Sequence, residues 1–584
     1  MVHPLAGQPV KKEDLIHVDT IVKDFFRIVP NYDTPEERVS FGTSGHRGIA
    51  SKGTFNELHV AAIVQAICDV RQEFGATGPC YIGQDTHALS QPALQVAIEV
   101  LLGNRVKTRV DAHREFVPTP SVSRAILRHN ANASEDTIAD GIIITPSHNP
   151  PEHGGIKYNP PHGGPADTGV TKRIEALANE YLQKGLDSIQ RFSFHYLVGA
   201  HESAHCGCCH HEEEKLVAPS AISIEEAGQY LEPYDFKMAY VKELPQIIDM
   251  KAIQQANPKV LINALGGSGG AYWHAIAKEY NLSFTIINSD YDPTFSFMSY
   301  DHDGAIRMDC SSPYAMAEVA KNLGDHVLAI GNDPDYDRHG IVTEEGLLAP
   351  NQYLVVAAKY LNDTRPWEGK GVGKTAVVTG LMDAYCKDSN HPVYEVPVGF
   401  KYFAPLLFDG RIGLGAEESA GASFLQHDGT VWTTDKDGII LGLLAVEMVA
   451  TTGKTPAQHY ADMTAQWGTP VFQRVDMPCT TEIKSALKGM KPSDVTMTEL
   501  GGSPILDIRT TSLFEDLPID GVKIVTDTGW FVARPSGTEN LYKMYAESYL
   551  GEDGLARLME DGKRIIEGLV TINNHEIPHM EVVE

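Results

Sequence analysis

Positive charge is scarce in this chain: 48 lysines and arginines stand against 77 aspartates and glutamates, a formal charge of −29 over 584 residues. A polyanionic partner needs a net basic surface, so this balance argues against nucleic acid and anionic membranes as partners. Any local cluster of Arg, Lys and backbone N–H is therefore informative as a place to meet an anionic substrate. Long apolar runs are missing too. None approaches the roughly 20 residues of a membrane span, and Met1-Val2-His3-Pro4-Leu5-Ala6-Gly7 lacks the continuous apolar stretch of a secretory signal. Cysteine is sparse, eight residues and most of them isolated, which fits a reducing cytoplasm better than a disulfide framework.

With 42% hydrophobic and 21% charged residues the composition is that of a soluble globular protein. The length is too great for one core and suggests about three to five domains. Strands and helices alternate, which implies mostly parallel α/β sheets. Residues 54–74 carry helical spacing, and a strand with Tyr81-Ile82-Gly83 follows, closed by Asp85. Further strands are expected at 260–262, 284–287, 327–330 and 376–378, with helices at 271–280 and 313–323 between them. Polar stretches near 195–220, 323–326 and 455–500 suggest boundaries, read as domains 1–205, 206–325, 326–460 and 461–584. After about residue 500 the order changes to closely spaced short strands and a terminal helix, a smaller α+β domain.

Two glycine-rich segments imitate nucleotide sites. Gly266-Gly267-Ser268-Gly269-Gly270 follows a strand and opens a helix, but Tyr272 stands where a dinucleotide fingerprint needs its third glycine. Gly373-Lys374-Thr375 ends like a P-loop, yet Glu368 occupies the first glycine position and the expected strand follows the loop instead of preceding it. His201, His205, Cys206, Cys208, Cys209, His210 and His211 crowd together as a metal tract would. Without CxxC pairs, and beside Glu212-Glu213-Glu214, the tract reads as an exposed inter-domain insertion.

Four other segments carry chemistry. Thr145-Pro146-Ser147-His148-Asn149-Pro150 follows the short strand at 141–144, and its prolines stiffen the turn on either side of Ser147. A serine placed there is expected to present its hydroxyl. Gly331-Asn332-Asp333-Pro334-Asp335-Tyr336-Asp337-Arg338 places three aspartates at alternate positions after another strand. Carboxylates that converge in this way need a cation, and oxygen-only ligation selects a hard one such as Mg²⁺. An EF-hand is excluded by the missing Gly and Glu of that loop. Gly415-Ala416-Glu417-Glu418-Ser419-Ala420-Gly421 suits hydrogen bonding to a polyol. Arg534-Pro535-Ser536-Gly537-Thr538-Glu539-Asn540, after apolar Trp530-Phe531-Val532, suits a phosphate monoester.

Together with Phe41-Gly42-Thr43-Ser44-Gly45-His46-Arg47-Gly48, these segments occur in the order found in the α-D-phosphohexomutase superfamily. The chain resembles that family from about residue 38 to 550, and it looks closest to the bacterial-type phosphoglucomutases, through the serine loop, the triple-aspartate loop and Ile306-Arg307-Met308-Asp309-Cys310-Ser311-Ser312. The resemblance implies three similar α/β domains and a smaller C-terminal α+β domain around a central cleft, in a heart-shaped molecule. It implies a phosphoryl group on Ser147, whose phosphate oxygen completes the shell of one Mg²⁺ with Asp333, Asp335 and Asp337. Lys157, in Gly154-Gly155-Ile156-Lys157-Tyr158-Asn159, matches a general acid/base, and His148 joins the catalytic group. Arg47 and Arg338 neutralise charge around the phosphoserine. Glu417 and Ser419 match the pair on sugar hydroxyls, and Lys436 a lysine near the substrate phosphate. Gly399 and Lys401 are taken as substrate-binding, although Phe400 stands where some phosphomannomutase relatives place His. Arg534, Ser536, Gly537 and Thr538 form the phosphate cradle. The implied reaction interconverts glucose 1-phosphate and glucose 6-phosphate through glucose 1,6-bisphosphate, in a cytoplasmic monomer or weak homodimer whose partners are small hexose phosphates. The tract at 201–211 lies outside the pattern.

Overall fold

The computed structural model describes residues 2–42, 45–192, 228–536 and 541–573. Four sheets follow one another along the chain. The first has six strands in the order His46–Ile49, His153–Asn159, Asp140–Ile144, Cys80–Gln84, Thr108–Asp111, Leu231–Tyr234. Its inner strands are parallel and buried, and the two at the His46 edge are antiparallel. The second runs Gly346–Leu347, Gly340–Thr343, Leu328–Gly331, Val260–Asn263, Phe284–Ile287, and the third Val393–Val396, Gly371–Thr375, Ile412–Glu417, Gly421–Phe424. The fourth is antiparallel throughout and is backed by the helices Thr481–Lys488 and Gly551–Asn573. The expected class, α/β domains followed by a smaller α+β domain, is what the chain adopts.

The domain limits differ from those expected. Strand Leu231–Tyr234 pairs with Thr108–Asp111 and so belongs to the first sheet. Strand Leu328–Gly331 pairs with Val260–Asn263, so a boundary at 326 would cut the second sheet. A boundary at 461 would fall inside the helix Pro456–Trp467. The polar stretch at 455–500 holds the helix Pro456–Trp467, the strand Val471–Pro478 and the helix Thr481–Lys488, and strand pairing between distant segments decides membership. The Gly373-Lys374-Thr375 run lies in strand Gly371–Thr375, with Ala376-Val377-Val378 in the turn after it, so it is no phosphate loop. The helix expected over 313–323 is confined to Ala317–Lys321.

The first and fourth domains have cores of their own, whereas the second and third share one. Helix Gly438–Thr452 is buried on every side through Met448, and apolar there except for Glu447, because it lies within that shared core, where Gly442 meets Ile330 and Trp273. This rigid joint sets the distance between the loops that leave the second and third sheets. Among the described residues no single helix is long and apolar enough to cross a membrane.

Candidate active site

Ser147 follows strand Asp140–Ile144 in a left-handed conformation, φ +62°, that non-glycine residues adopt at a cost of about 1–2 kcal/mol. The Thr145 hydroxyl oxygen accepts the Ser147 N–H at 2.8 Å and so stabilises the turn. On the neighbouring strand Gly155 is required, since a Cβ there would run into the Thr145 carbonyl. The expectation that the serine hydroxyl is presented to solvent is not met: Ser147 is only 1% exposed. Its hydroxyl donates instead to Asp333 Oδ2 at 3.0 Å, across 186 residues of sequence. The loop is aimed at a second domain and not at water.

Asp333, Asp335 and Asp337 lie on the turn after strand Leu328–Gly331, all three buried, with ligand oxygens within 4.8 Å of one another. The glycines at 266–270 support this turn. A Cβ at Gly269 would strike the Tyr336 ring, and the N–H and hydroxyl of Ser268 both donate to the Pro334 carbonyl at 2.8 Å. That close packing gives the glycine run a structural reason of its own. Asp333 Oδ1 accepts the Arg338 N–H, and Asp335 Oδ2 accepts the Thr119 hydroxyl at 2.9 Å.

Cations surround the triad. The Lys157 ammonium donates to Asp335 Oδ2 at 2.6 Å and Asp337 Oδ2 at 3.2 Å, and Lys436 Nζ lies 3.1 Å from Asp337 Oδ2. Arg338 Nε lies 3.8 Å from Asp333 and 3.7 Å from Asp337. Arg47, on strand His46–Ile49, feels the charges of Asp335, Asp337 and Asp333. Burial and the neighbouring Asp335 and Asp337 charges push the Asp333 pKa well up. Burial would raise Asp337 too, but Lys157, Lys436 and Arg338 outweigh it and hold that carboxyl below its usual range. Burial works against the Lys157 charge, yet Asp335 and Asp337 raise its pKa above the ordinary lysine value. The ammonium form is thus favoured beside these two carboxylates.

The donor set fits a hard cation. Asp335 Oδ1 and Asp337 Oδ1 are buried and without a hydrogen-bond partner, all the acidic ligand atoms are oxygen, and a cation, Lys157, already stands against them.

His148 Nδ1 is 3.3 Å from the Ser147 hydroxyl, and its Nε2 is 3.9 Å from Asp309 Oδ2. Burial, with Arg338 and Arg47 nearby, drives its pKa well below the usual histidine value, so the ring is neutral. Glu417 ends strand Ile412–Glu417, and the Ser419 hydroxyl in the following turn is buried with no hydrogen-bond partner, ready for a ligand. That turn reaches the triad because the Ala420 carbonyl accepts the His339 N–H and Gly421 packs on Lys436.

Other expected residues lie apart. Lys401 donates to Thr168 at 2.7 Å, with Asp167 and Asp520 its nearest acidic influences, and Gly399, at φ +135°, opens the short turn that carries it. Arg534, on strand Gly529–Pro535, has a buried Nε with no hydrogen-bond partner and acts on Tyr402 and Tyr545. Ser536 is buried beside it. Gly537 and Thr538, like Thr43, Ser44 and the tract at 201–211, lie outside the described residues.

Sequence reasoning missed Thr119, Asp309 and Asp435. Asp435 accepts a hydrogen bond from Asn159 of the first domain at 3.0 Å, and its pKa, raised to about 6 mainly by burial, is partly held down by Lys157. Thr119 has no local signal, whereas Asp435 stands next to Lys436. Asp309 was within reach as the acidic member of a quoted motif.

A buried serine, three carboxylates and a ring of cations drawn from three domains define a phosphoryl-transfer site. Family models for phosphoglucomutase/phosphomannomutase match all four units: domain I at 38–184, domain II at 238–346, domain III at 349–467 and the C-terminal domain at 484–564. The chain belongs to the phosphoglucomutase/phosphomannomutase family. It is 45% identical to a phosphoglucomutase of Komagataeibacter xylinus, over 97% of this chain and 98% of that one. Parafusin (phosphoglucomutase) from Paramecium shares the fold with a TM-score of 0.69 at 19% identity, covering 92% of this chain and 95% of its own. A family protein from Burkholderia thailandensis gives 0.65 at 17%, covering 91% and 98%.

Proposed function

We propose that the chain is a phosphomutase that interconverts glucose 1-phosphate and glucose 6-phosphate through Ser147. The observation that carries this reading is the Ser147 hydroxyl held on Asp333 among three converging carboxylates. In the active protein Ser147 Oγ carries a phosphoryl group. The free hydroxyl of the sugar monophosphate attacks phosphorus, the bond from phosphorus to Ser147 Oγ breaks, and the proton of the sugar hydroxyl ends on Ser147 Oγ. The resulting glucose 1,6-bisphosphate reorients and returns its other phosphoryl group to Ser147. Lys157 is assigned to carry the proton. Asp333, Asp335 and Asp337 would hold one Mg²⁺, which when bound neutralises charge on the phosphoryl oxygens. Arg47 and Arg338 add fixed positive charge, and neutral His148 steadies the Ser147 oxygen.

Glu417 and Ser419 are assigned to sugar hydroxyls, and the K. xylinus relative is named for glucose, so glucose is the sugar. Lys436, Arg534, Ser536, Gly537 and Thr538 hold the phosphate that is not reacting. Cytoplasm is the compartment proposed, in keeping with five described cysteines that are all unpaired. A coupled assay with glucose, mannose and glucosamine 1-phosphates tests the reading. Glucose is expected to turn over fastest. A faster mannose or glucosamine reaction would overturn the sugar assignment, and no turnover at all would favour a sugar-phosphate-binding protein without catalysis.

Arg534→Ala is expected to raise KM and to release free glucose 1,6-bisphosphate before it reorients, since the cradle is used in both orientations. A charge-assisted contact contributes about 1.5–3 kcal/mol, hence roughly 10- to 150-fold in binding. Phosphorylated Ser147 persists in this variant. Unchanged KM together with unchanged bisphosphate release would place the cradle elsewhere.

A further inference from the structure

Asp85, just past strand Cys80–Gln84, is fully buried. Its carboxylate faces four donors. Oδ1 accepts the His87 N–H at 3.0 Å and the Ser90 hydroxyl at 2.5 Å. Oδ2 accepts the Thr145 hydroxyl at 2.6 Å and lies 2.9 Å from His87 Nδ1. The other ring nitrogen of His87 is 2.9 Å from the Asn149 carbonyl oxygen. Both ring nitrogens thus face acceptors, an arrangement that the doubly protonated ring satisfies completely. The Thr145 hydroxyl, which donates to Asp85, accepts the N–H of Ser147.

One carboxylate therefore grips the serine loop on both sides, directly at Thr145, two residues before Ser147, and through His87 at Asn149, two residues after it. None of its hydrogen bonds goes to the Ser147 hydroxyl or to the triad. A buried charge with every acceptor site filled is costly to assemble and rigid once assembled. What it restrains is the one strained residue of the loop, Ser147 at φ +62°.

We propose that Asp85 is a positioning residue which, through Thr145 and His87, holds Ser147 in its left-handed conformation with the hydroxyl aimed at Asp333. This rests on Ser147 as the phosphoryl carrier. The clamp acts on reaction geometry and not on sugar binding, because the sugar and phosphate contacts are assigned to the third and fourth domains. Displacing the reacting oxygen by an ångström is expected to slow both transfers while leaving substrate affinity alone.

The test compares Thr145→Val, Thr145→Ser and Asp85→Asn in the full chain, with kcat, KM, single-turnover transfer from phosphorylated Ser147 and thermal unfolding. Thr145→Val keeps the shape and loses both hydrogen bonds. It is expected to lower kcat and the single-turnover rate roughly 10- to 100-fold with KM within about twofold. Asp85→Asn behaves alike, and Thr145→Ser, which restores the hydroxyl, recovers most of the rate. If Asp85→Asn does not fold, the Thr145 pair decides. Equal losses in the Ser and Val variants, a Val variant as fast as the parent, or a loss carried by KM would overturn the proposal. Ser147→Ala separates the two readings. Retained turnover in that variant would overturn the carrier assignment itself, whereas an inactive Ser147→Ala beside a fully active Thr145→Val would overturn only the clamp.

Discussion

Ser147→Ala is expected to lose turnover by roughly 10³-fold or more, since the other hydroxyl of its motif, that of Thr145, is committed to Asp85 and does not reach the triad. Among the described residues, two hydroxyls reach the three aspartates, those of Ser147 and Thr119. Thr119 cannot take over. Its hydroxyl and its N–H are both committed to Asp335, at 2.9 Å each, and it opens the helix Thr119–Asn130 with no exposed surface. Protein purified active should therefore carry one phosphoryl group, and peptide mapping should place it on Ser147. Substrate should discharge it in the parent, and the alanine variant should carry none. Intact mass showing fully active protein without phosphate would end the assignment.

Removing the divalent cation should have an effect of similar size. Chelation is expected to lower kcat by roughly 10²-fold or more, because the transferring group then loses its largest fixed positive charge. Magnesium should restore the rate. The physical basis is uneven protonation in the triad. Without an ion, burial and two neighbouring charges favour the protonated form of Asp333, while Asp337 stays ionised against Lys157, Lys436 and Arg338. Activity after chelation restored by zinc alone, and not by magnesium, would show that the argument from oxygen ligands is wrong.

The local motifs on which these predictions turn can be read from the sequence. Ser147 stands in a six-residue turn bracketed by prolines, and the aspartates alternate at 333, 335 and 337. Both signals are local, and each motif holds its own shape wherever the fold carries it. Lys401 comes from the family resemblance and not from a local signal, and in the folded chain its amine donates to Thr168, 233 residues away. Ser147 shows the limit of local reading. Local turn chemistry predicted an exposed hydroxyl, and docking of the second domain buried it.

By itself the sequence determined the class of the domains, the turns that bear the serine and the aspartates, and the need for local cations in so acidic a chain. Those properties depend on periodicity, on the stiffness of proline turns and on net charge, which act over a few residues or over the whole composition. Only the tertiary structure decided where the domains end, which lysines face the triad, and that Asp85 grips the serine loop on both sides. Such facts are set by contacts across long separations: 186 residues from Ser147 to Asp333, 216 from Thr119 to Asp335 and 276 from Asn159 to Asp435. No short-range pattern specifies them, because each depends on how the first domain docks against the second and third and on the loops which that docking brings together.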